Sequence, residues 1–203
     1  MKISILTAFL ALITFCSFGQ NFLLERGQSG AHIGGQLGFG KGSTILGISP
    51  GFTWDGKLTL SLTGGHERNN DYGITSNSIK PSLSYMVVKQ DNEGIPLSVS
   101  LGASYQFNFF PDDKDLKAHT LGLDVGLFHR LYLNDQISII PGALVGWAQT
   151  TAKYTGYEDE KVSGVIGAFQ TSLLVNQFHI TPSVQFSKNA TVFNLLIGYI
   201  FPF

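Results

Sequence analysis

Five histidines and two clusters of carboxylates are the groups in this chain that could move a proton. His66, Glu67 and Asp71 fall in one short segment, and Asp112, Asp113, Asp115 and His119 in another. A carboxylate that orients an imidazole makes a general base, but only where the two groups come within hydrogen-bond reach. Spacing along a chain does not establish that reach, and charges in connecting segments are ordinarily solvated. The runs Asp112-Asp113-Lys114-Asp115 and Glu158-Asp159-Glu160-Lys161 offer oxygen ligands to a divalent cation. Both lack the alternating ligands and central glycine of a calcium loop. Thiol chemistry rests on Cys16 alone. The residue types therefore predict no catalytic set, no metal and no cofactor.

The elements that must carry these groups read as strands. Leu97, Val99, Leu101, Ala103, Tyr105, Phe107 and Phe109 alternate with Ser98, Ser100, Gly102, Ser104, Gln106 and Asn108. Period-two alternation of this kind is a strand with one apolar and one polar face. The same reading gives ten strands, at 30–39, 44–54, 57–66, 77–89, 95–109, 119–133, 136–153, 162–175, 178–188 and 191–203. Eight strands follow if the first or last pair does not form. The polar face is Ser, Thr, Gly, Gln and Asn rather than Lys and Glu, which suits a narrow lumen better than bulk water. His32 and His179 fall on that face, His66 and His119 at strand ends, and His129 on the apolar face. Lys80, Asp124 and Arg130 are the charges it carries. They are expected as lumen charges in an internal network that plugs a small barrel.

Asp55-Gly56 is a strong two-residue hairpin signal, and Asn134-Asp135 and Asn176-Gln177 are nearly as tight. The connections at 67–76, 110–118 and 154–161 read as longer, which places them outside the cell and the tight turns in the periplasm. Ile-x-Pro recurs at Ile48-Ser49-Pro50, Ile79-Lys80-Pro81, Ile139-Ile140-Pro141 and Ile180-Thr181-Pro182. A proline removes a ladder donor, so these sites are expected to be bulges.

The two ends of the chain point the same way. Met1-Lys2, an uncharged apolar run from Ile3 to Phe15, and small residues at Ser17 and Gly19 predict a signal peptide over 1–19. A periplasmic segment over 20–29 would follow, then a barrel over 30–203. A lipoprotein signal at Cys16 is the alternative, opposed by Phe15 directly before it. At the other end Phe193, Leu195, Ile197, Tyr199, Phe201 and Phe203 share one face. A strand apolar along one side and rich in aromatics is expected to meet lipid. Charged residues are only 13% of the chain, about half the ~25% of soluble domains. The net charge of −1 leaves no footprint for nucleic acid.

The Ile-Ser-Pro-Gly-Phe segment at 48–52, the tight turn and the alternating strand Lys57–Gly65 resemble the small outer-membrane β-barrel proteins of Bacteroidota-type bacteria. The ending Gly198-x-x-Phe201-x-Phe203 resembles the C-terminal signal read by the barrel-assembly machinery. Leu196 stands where that signal usually has a polar residue. The resemblance implies a transmembrane antiparallel up-and-down β-barrel. Its implied partners are outer-membrane lipid, lipopolysaccharide and the assembly machinery. It leaves oligomeric state and role open. Omptin-like outer-membrane proteases use Asp and His at the rim of a ten-stranded barrel, which makes Asp113 and His119 the pair to locate. Lipid A deacylases place Ser two residues after His, a pattern this chain lacks. The expected function is a non-enzymatic structural, surface-interaction or assembly-partner role in the outer membrane. A narrow pore and a rim-sited hydrolase are the alternatives.

Overall fold

The computed structural model describes residues 23–203 apart from 41, 72, 91–93, 114 and 189. The signal peptide expected over 1–19, with Cys16, lies outside the described residues. The strands are β1 (Gly30–Gly40), β2 (Ser43–Trp54), β3 (Leu58–Asn69), β4 (Ile74–Val88), β5 (Ser98–Phe109), β6 (Leu116–Phe128), β7 (Leu131–Asn134), β8 (Ile137–Tyr154), β9 (Glu160–Val175), β10 (Phe178–Ser187) and β11 (Thr191–Pro202). All neighbours are antiparallel, β11 pairs with β1, and β6 pairs with β8. The sheet is therefore closed. β6 and β7 form one barrel strand interrupted at His129-Arg130. The pairs Phe128↔Gly142 and Leu131↔Ile139 keep one register across the break, which leaves ten barrel strands. Closure gives every wall strand two neighbours, as a chain with a lipid-facing backbone requires.

The described N-terminal segment, Phe203 and the Asp55-Gly56, Asn134–Gln136 and Asn176-Gln177 turns lie at one end of the barrel, the turn end. Asp55 and Gly56 have φ of 53° and 60°, the left-handed pair that matches hairpin twist. At the Asn134 turn, Asn134 Oδ1 accepts from the backbone N–H of Gln136 and Ile137, each at 2.9 Å. The other end, the loop end, departs from the sequence reading. The strands run on through most of the charged segments, and only 70–73, 110–115 and 155–159 remain as connections. The longest connection, 89–97, lies at the turn end instead. Charge was a poor sign of loop here because alternate residues still satisfied the ladder: Glu67 points into the lumen while His66 and Arg68 point out.

The prolines also differ from expectation. None shifts the register. Around Pro50, Pro81 and Pro182 the ladder to one neighbour is missing for two residues and resumes in phase. Pro141 lies across from the β6–β7 break, where His129 N–H still reaches its carbonyl at 3.0 Å. A proline lacks one donor, and the ladder here opens locally rather than adding a residue. Hydroxyl pairs in the lumen hold two of the openings, Ser49–Thr63 at 2.9 Å and Ser172–Thr181 at 2.7 Å.

Candidate functional site

The lumen is filled from the turn end upward. Leu23 and Leu24 precede β1 and turn back into the barrel mouth, where they are only 2% and 5% exposed. They pack with Met86, Phe128, Ile140, Leu144, Ala168, Leu174 and Ile200, lumen-facing residues in the turn-end half of the barrel. Room for the Phe128 ring comes from glycine, since a Cβ on Gly142 or Gly126 would lie 2.5 or 2.7 Å from it. The reversal is held by Gln28 N–H to Glu25 O (3.2 Å), Glu25 N–H to Gln28 Oε1 (3.0 Å) and Gly27 N–H to Asp55 O (3.3 Å).

A segment outside the sheet, set in an apolar mouth, carries backbone carbonyls that need partners. The Leu23 carbonyl accepts from the Arg130 guanidinium and the Leu24 carbonyl from the Lys89 ammonium. Arg130 also pairs with Glu25 at 3.3 Å, and Tyr132 OH donates to the same Glu25 oxygen. Gln90 fixes Arg130 by two backbone bonds, at 2.6 and 2.8 Å. Burial, with Arg130 beside it, pulls the Lys89 amine down to about 7. A cavity of about 200 Å³ remains beside the segment, between Leu24, Arg130, Leu174 and Ile200.

Around this plug and above it the lumen is polar and paired across strands. Thr53–Thr59, Ser61–Ser82 and Thr120–Thr150 hydroxyls bond at 2.7 to 2.8 Å. His32 and His179, both buried, occupy seats left by Gly51 and Gly198. A Cβ at those glycines would lie 2.3 and 2.4 Å from the imidazole Nε2. Asp124 sits over Gly102 in the same way, with Lys80 close enough to act on it electrostatically. Higher still, Lys80, Glu67, Gln106, Asn108 and Thr63 surround a cavity of about 30 Å³, the volume of one or two waters. Glu67 is bonded to Ser43. A second apolar cluster, Phe110, Leu116, Ala118 and Ala152 with Ile74 and Tyr154 against it, lies at the loop end.

Of the expected lumen charges, Lys80 and Asp124 lie in the lumen wall, while Arg130 sits at its mouth clamping the N-terminal segment. Glu67, read from sequence with the loop charges, is a buried lumen residue. Its odd number on β3, in phase with Thr59 and Thr63, was the available signal. The rim acids and histidines do not converge. His66 Nδ1 bonds Asn77 at 2.8 Å, His119 stacks on Tyr105 with centroids 5.7 Å apart, and Asp112 accepts from Thr75 at 3.0 Å. Among the described residues no group of three His, Cys, Asp or Glu could hold a metal. His129, at the β6–β7 break, bonds the exposed Pro96 carbonyl at 2.6 Å.

The outer wall is apolar around the barrel. Leu37, Ile48, Leu60, Leu62, Ile79, Leu83, Leu101, Leu123, Val145, Val165, Ile180 and Ile197 are all exposed. Aromatics ring each end: Trp54, Tyr85, Tyr132, Phe178 and Phe201 at the turn end, Phe39, Phe107, Phe109 and Phe193 at the other. From Phe193 to Phe203 is ten residue steps. At ~3.3 Å each and a tilt of ~40°, that is roughly 25 Å, the height of a lipid-facing band. Water would not tolerate this surface, and no helix among the described residues is long and apolar enough to cross a membrane. The barrel wall itself is the membrane-spanning element. Phe203 packs on Phe52 (5.7 Å) and its N–H bonds Ser29 O at 3.0 Å, so the terminal aromatic closes the first and last strands together.

No protein-family model and no curated protein matches the chain. Solved membrane barrels do. The attachment invasion locus protein Ail of Yersinia pestis is 13% identical, with a TM-score of 0.44 over 88% of this chain and 100% of that one. The beta domain of the Bordetella autotransporter BrkA is 10% identical, with a TM-score of 0.48 over the same shares. The KdgM porin, solved with disordered oligogalacturonate, is 13% identical, with a TM-score of 0.38 over 83% of this chain and 98% of that one. At such values the architecture rests on the strand pairing described above.

Proposed function

We propose that this chain is an integral outer-membrane β-barrel with a closed lumen. It works without catalysis, as a structural, surface-interaction or assembly-partner protein. The observation that carries the reading is the filled lumen, with Leu23 and Leu24 seated in the mouth against Phe128, Ile140 and Ile200. A pore would need a path past that cluster. A rim hydrolase would need a carboxylate beside His66 or His119, whose rings instead meet Asn77 and Tyr105. The turn end faces the periplasm in this reading, since the N-terminal segment enters there after its signal peptide is removed.

The deciding experiment is single-channel recording of the purified barrel in planar bilayers. The expected trace stays at baseline across applied voltages. Discrete, ion-selective steps would move the assignment to the pore. Hydrolytic turnover that disappears with His119→Ala or Asp113→Ala would move it to the enzyme.

A further inference from the structure

The cavity beside the docked segment has a wall of two kinds. Leu24, Leu174 and Ile200 line it as members of the plug cluster, with Pro202 two residues beyond Ile200 on β11. Arg130, Tyr132, Asp135 and Gln136 line it from the β6–β7 break to the turn before β8. Protein interiors leave few voids larger than a water, and this one is about 200 Å³. An apolar cavity of ~150 Å³ takes up benzene, so the space here suits a compact group of about eight heavy atoms. Among the described residues, the charges that face it are Arg130, Glu25 and Asp135. The Arg130 side chain is 9% exposed, against 50% for Glu25, and Asp135 is exposed. A charge in water gives little to an ion pair, so the buried guanidinium decides the sign of a ligand. Lys89 is bonded to the Leu24 carbonyl and does not line the cavity. Arg130 and Tyr132 already grip a carboxylate there. Both donate to Glu25 Oε1, each at 3.3 Å. Charge-assisted bonds close to ~2.8 Å in tight pairs, so Glu25 is held loosely. The donors themselves are fixed. Gln90 pins the Arg130 backbone, and the guanidinium carbon lies 5.7 Å over the Tyr132 ring.

We propose that this mouth cavity binds a small amphipathic monocarboxylate. Its carboxylate takes the place of Glu25 on Arg130 and Tyr132, and its apolar group lies against Leu24, Leu174 and Ile200. A guanidinium is the cation whose fork matches a carboxylate. Its bond to the Leu23 carbonyl is kept, so the segment stays docked while the ligand is bound. A second carboxylate on the ligand would face Asp135, which selects one charge over two. An ammonium would find no buried anion in this wall. The same chemistry exists in a free acid and in the last residue of a polypeptide that ends on an apolar side chain. The site is built on the docked segment, as is the closed-lumen reading above.

The barrel, N-terminal segment included, is refolded into phosphatidylcholine nanodiscs and titrated calorimetrically with isocaproate. Empty discs are the blank. Isocaproate should bind saturably, while isohexanol, isohexylamine and adipate should not rise above the blank. Glu25→Gln removes the competing charge and keeps an acceptor for both donors. It should tighten isocaproate binding by a factor of about two to five, the equivalent of a surface ion pair. A damaged fold cannot mimic that gain. Ser138 lines the cavity and is buried, so Ser138→Leu fills the space without touching the clamp. It should abolish binding while a thiol at Leu24→Cys, in the same background, stays shielded from maleimide. The peptide Gly-Ser-Gly-Leu, with its C-terminus free or amidated, separates the two sources. A free form that matches isocaproate assigns the site to a polypeptide end, and isocaproate alone assigns it to a free acid. Equal binding of isohexanol would reduce the site to an apolar void and overturn the proposal. So would unchanged or weaker binding in Glu25→Gln, or binding retained in Ser138→Leu. Failure of the closed-lumen reading would look different: the parent would show ion-selective conductance. A parent that stays closed and takes up no isocaproate condemns only the site.

Discussion

Gly198 carries two readings that can be separated. In the sequence it belongs to a C-terminal assembly signal. In the structure its missing side chain seats His179, and an added Cβ would stand 2.4 Å from His179 Nε2 and 2.8 Å from the Ile33 carbonyl. Overpacking of this kind costs about 1–3 kcal/mol. Gly198→Ala should lower unfolding stability in detergent by that amount, and adding His179→Ala should recover part of it. The rescue is partial because the Ile33 contact is backbone. No recovery in the double variant would assign Gly198 to the signal alone. Lys89 makes a second residue-scale prediction. Its amine titrates near 7 in the fold, against ~10.4 when free. Below pH 7 both states are protonated and the cost of burying the charge is fully present. Between pH 7 and about 10 the unfolded chain holds a proton the folded one has released, so stability rises with pH. The neutral amine still donates to the Leu24 carbonyl. Urea midpoints from pH 7 to 9.5 should climb in the parent relative to Lys89→Met. Parallel curves would refute the assignment.

The N-terminal segment is an element in its own right, though it has no regular structure. Its two leucines join the lumen cluster and its carbonyls rely on Arg130 and Lys89, so docking should fail when the clamp is cut. A thiol at Leu24→Cys should resist a membrane-impermeant maleimide in the folded barrel and react readily once Arg130→Ala is added. Equal reactivity in both backgrounds would show that the segment does not depend on the clamp. Little of this was legible beforehand. Strands were legible because lumen and lipid impose opposite demands on alternate residues, and that period survives in the sequence even at Glu67. Leu23 and Leu24 carry no period, and nothing in a pair of leucines says which wall they meet. Arg130 was legible as an inward charge but not as a clamp, because its partner lies 105 residues away.

At the scale of the whole molecule, closure joins the two termini of the barrel, and the last residues are the latch. Phe203 holds both Phe52 and Ser29, and Tyr199 stacks edge-on with Phe201 at 4.8 Å. Deleting Phe201 to Phe203 should reduce the assembled, heat-modifiable form in the outer membrane, with Phe203→Ala intermediate. Wild-type levels in the truncated protein would sink this. The proline openings have a mechanical consequence. They fall in the seams β2–β3, β4–β5, β6/β7–β8 and β9–β10, each a hairpin that reverses at the turn end. The seams between them, β1–β2, β3–β4, β5–β6, β8–β9 and β10–β11, run unbroken, as does β11–β1. The wall is thus one rigid four-stranded panel and three two-stranded panels, joined along softened creases. Under tension from the C-terminus in a force microscope, the chain should leave the bilayer in steps of whole panels, yielding at creases rather than strand by strand.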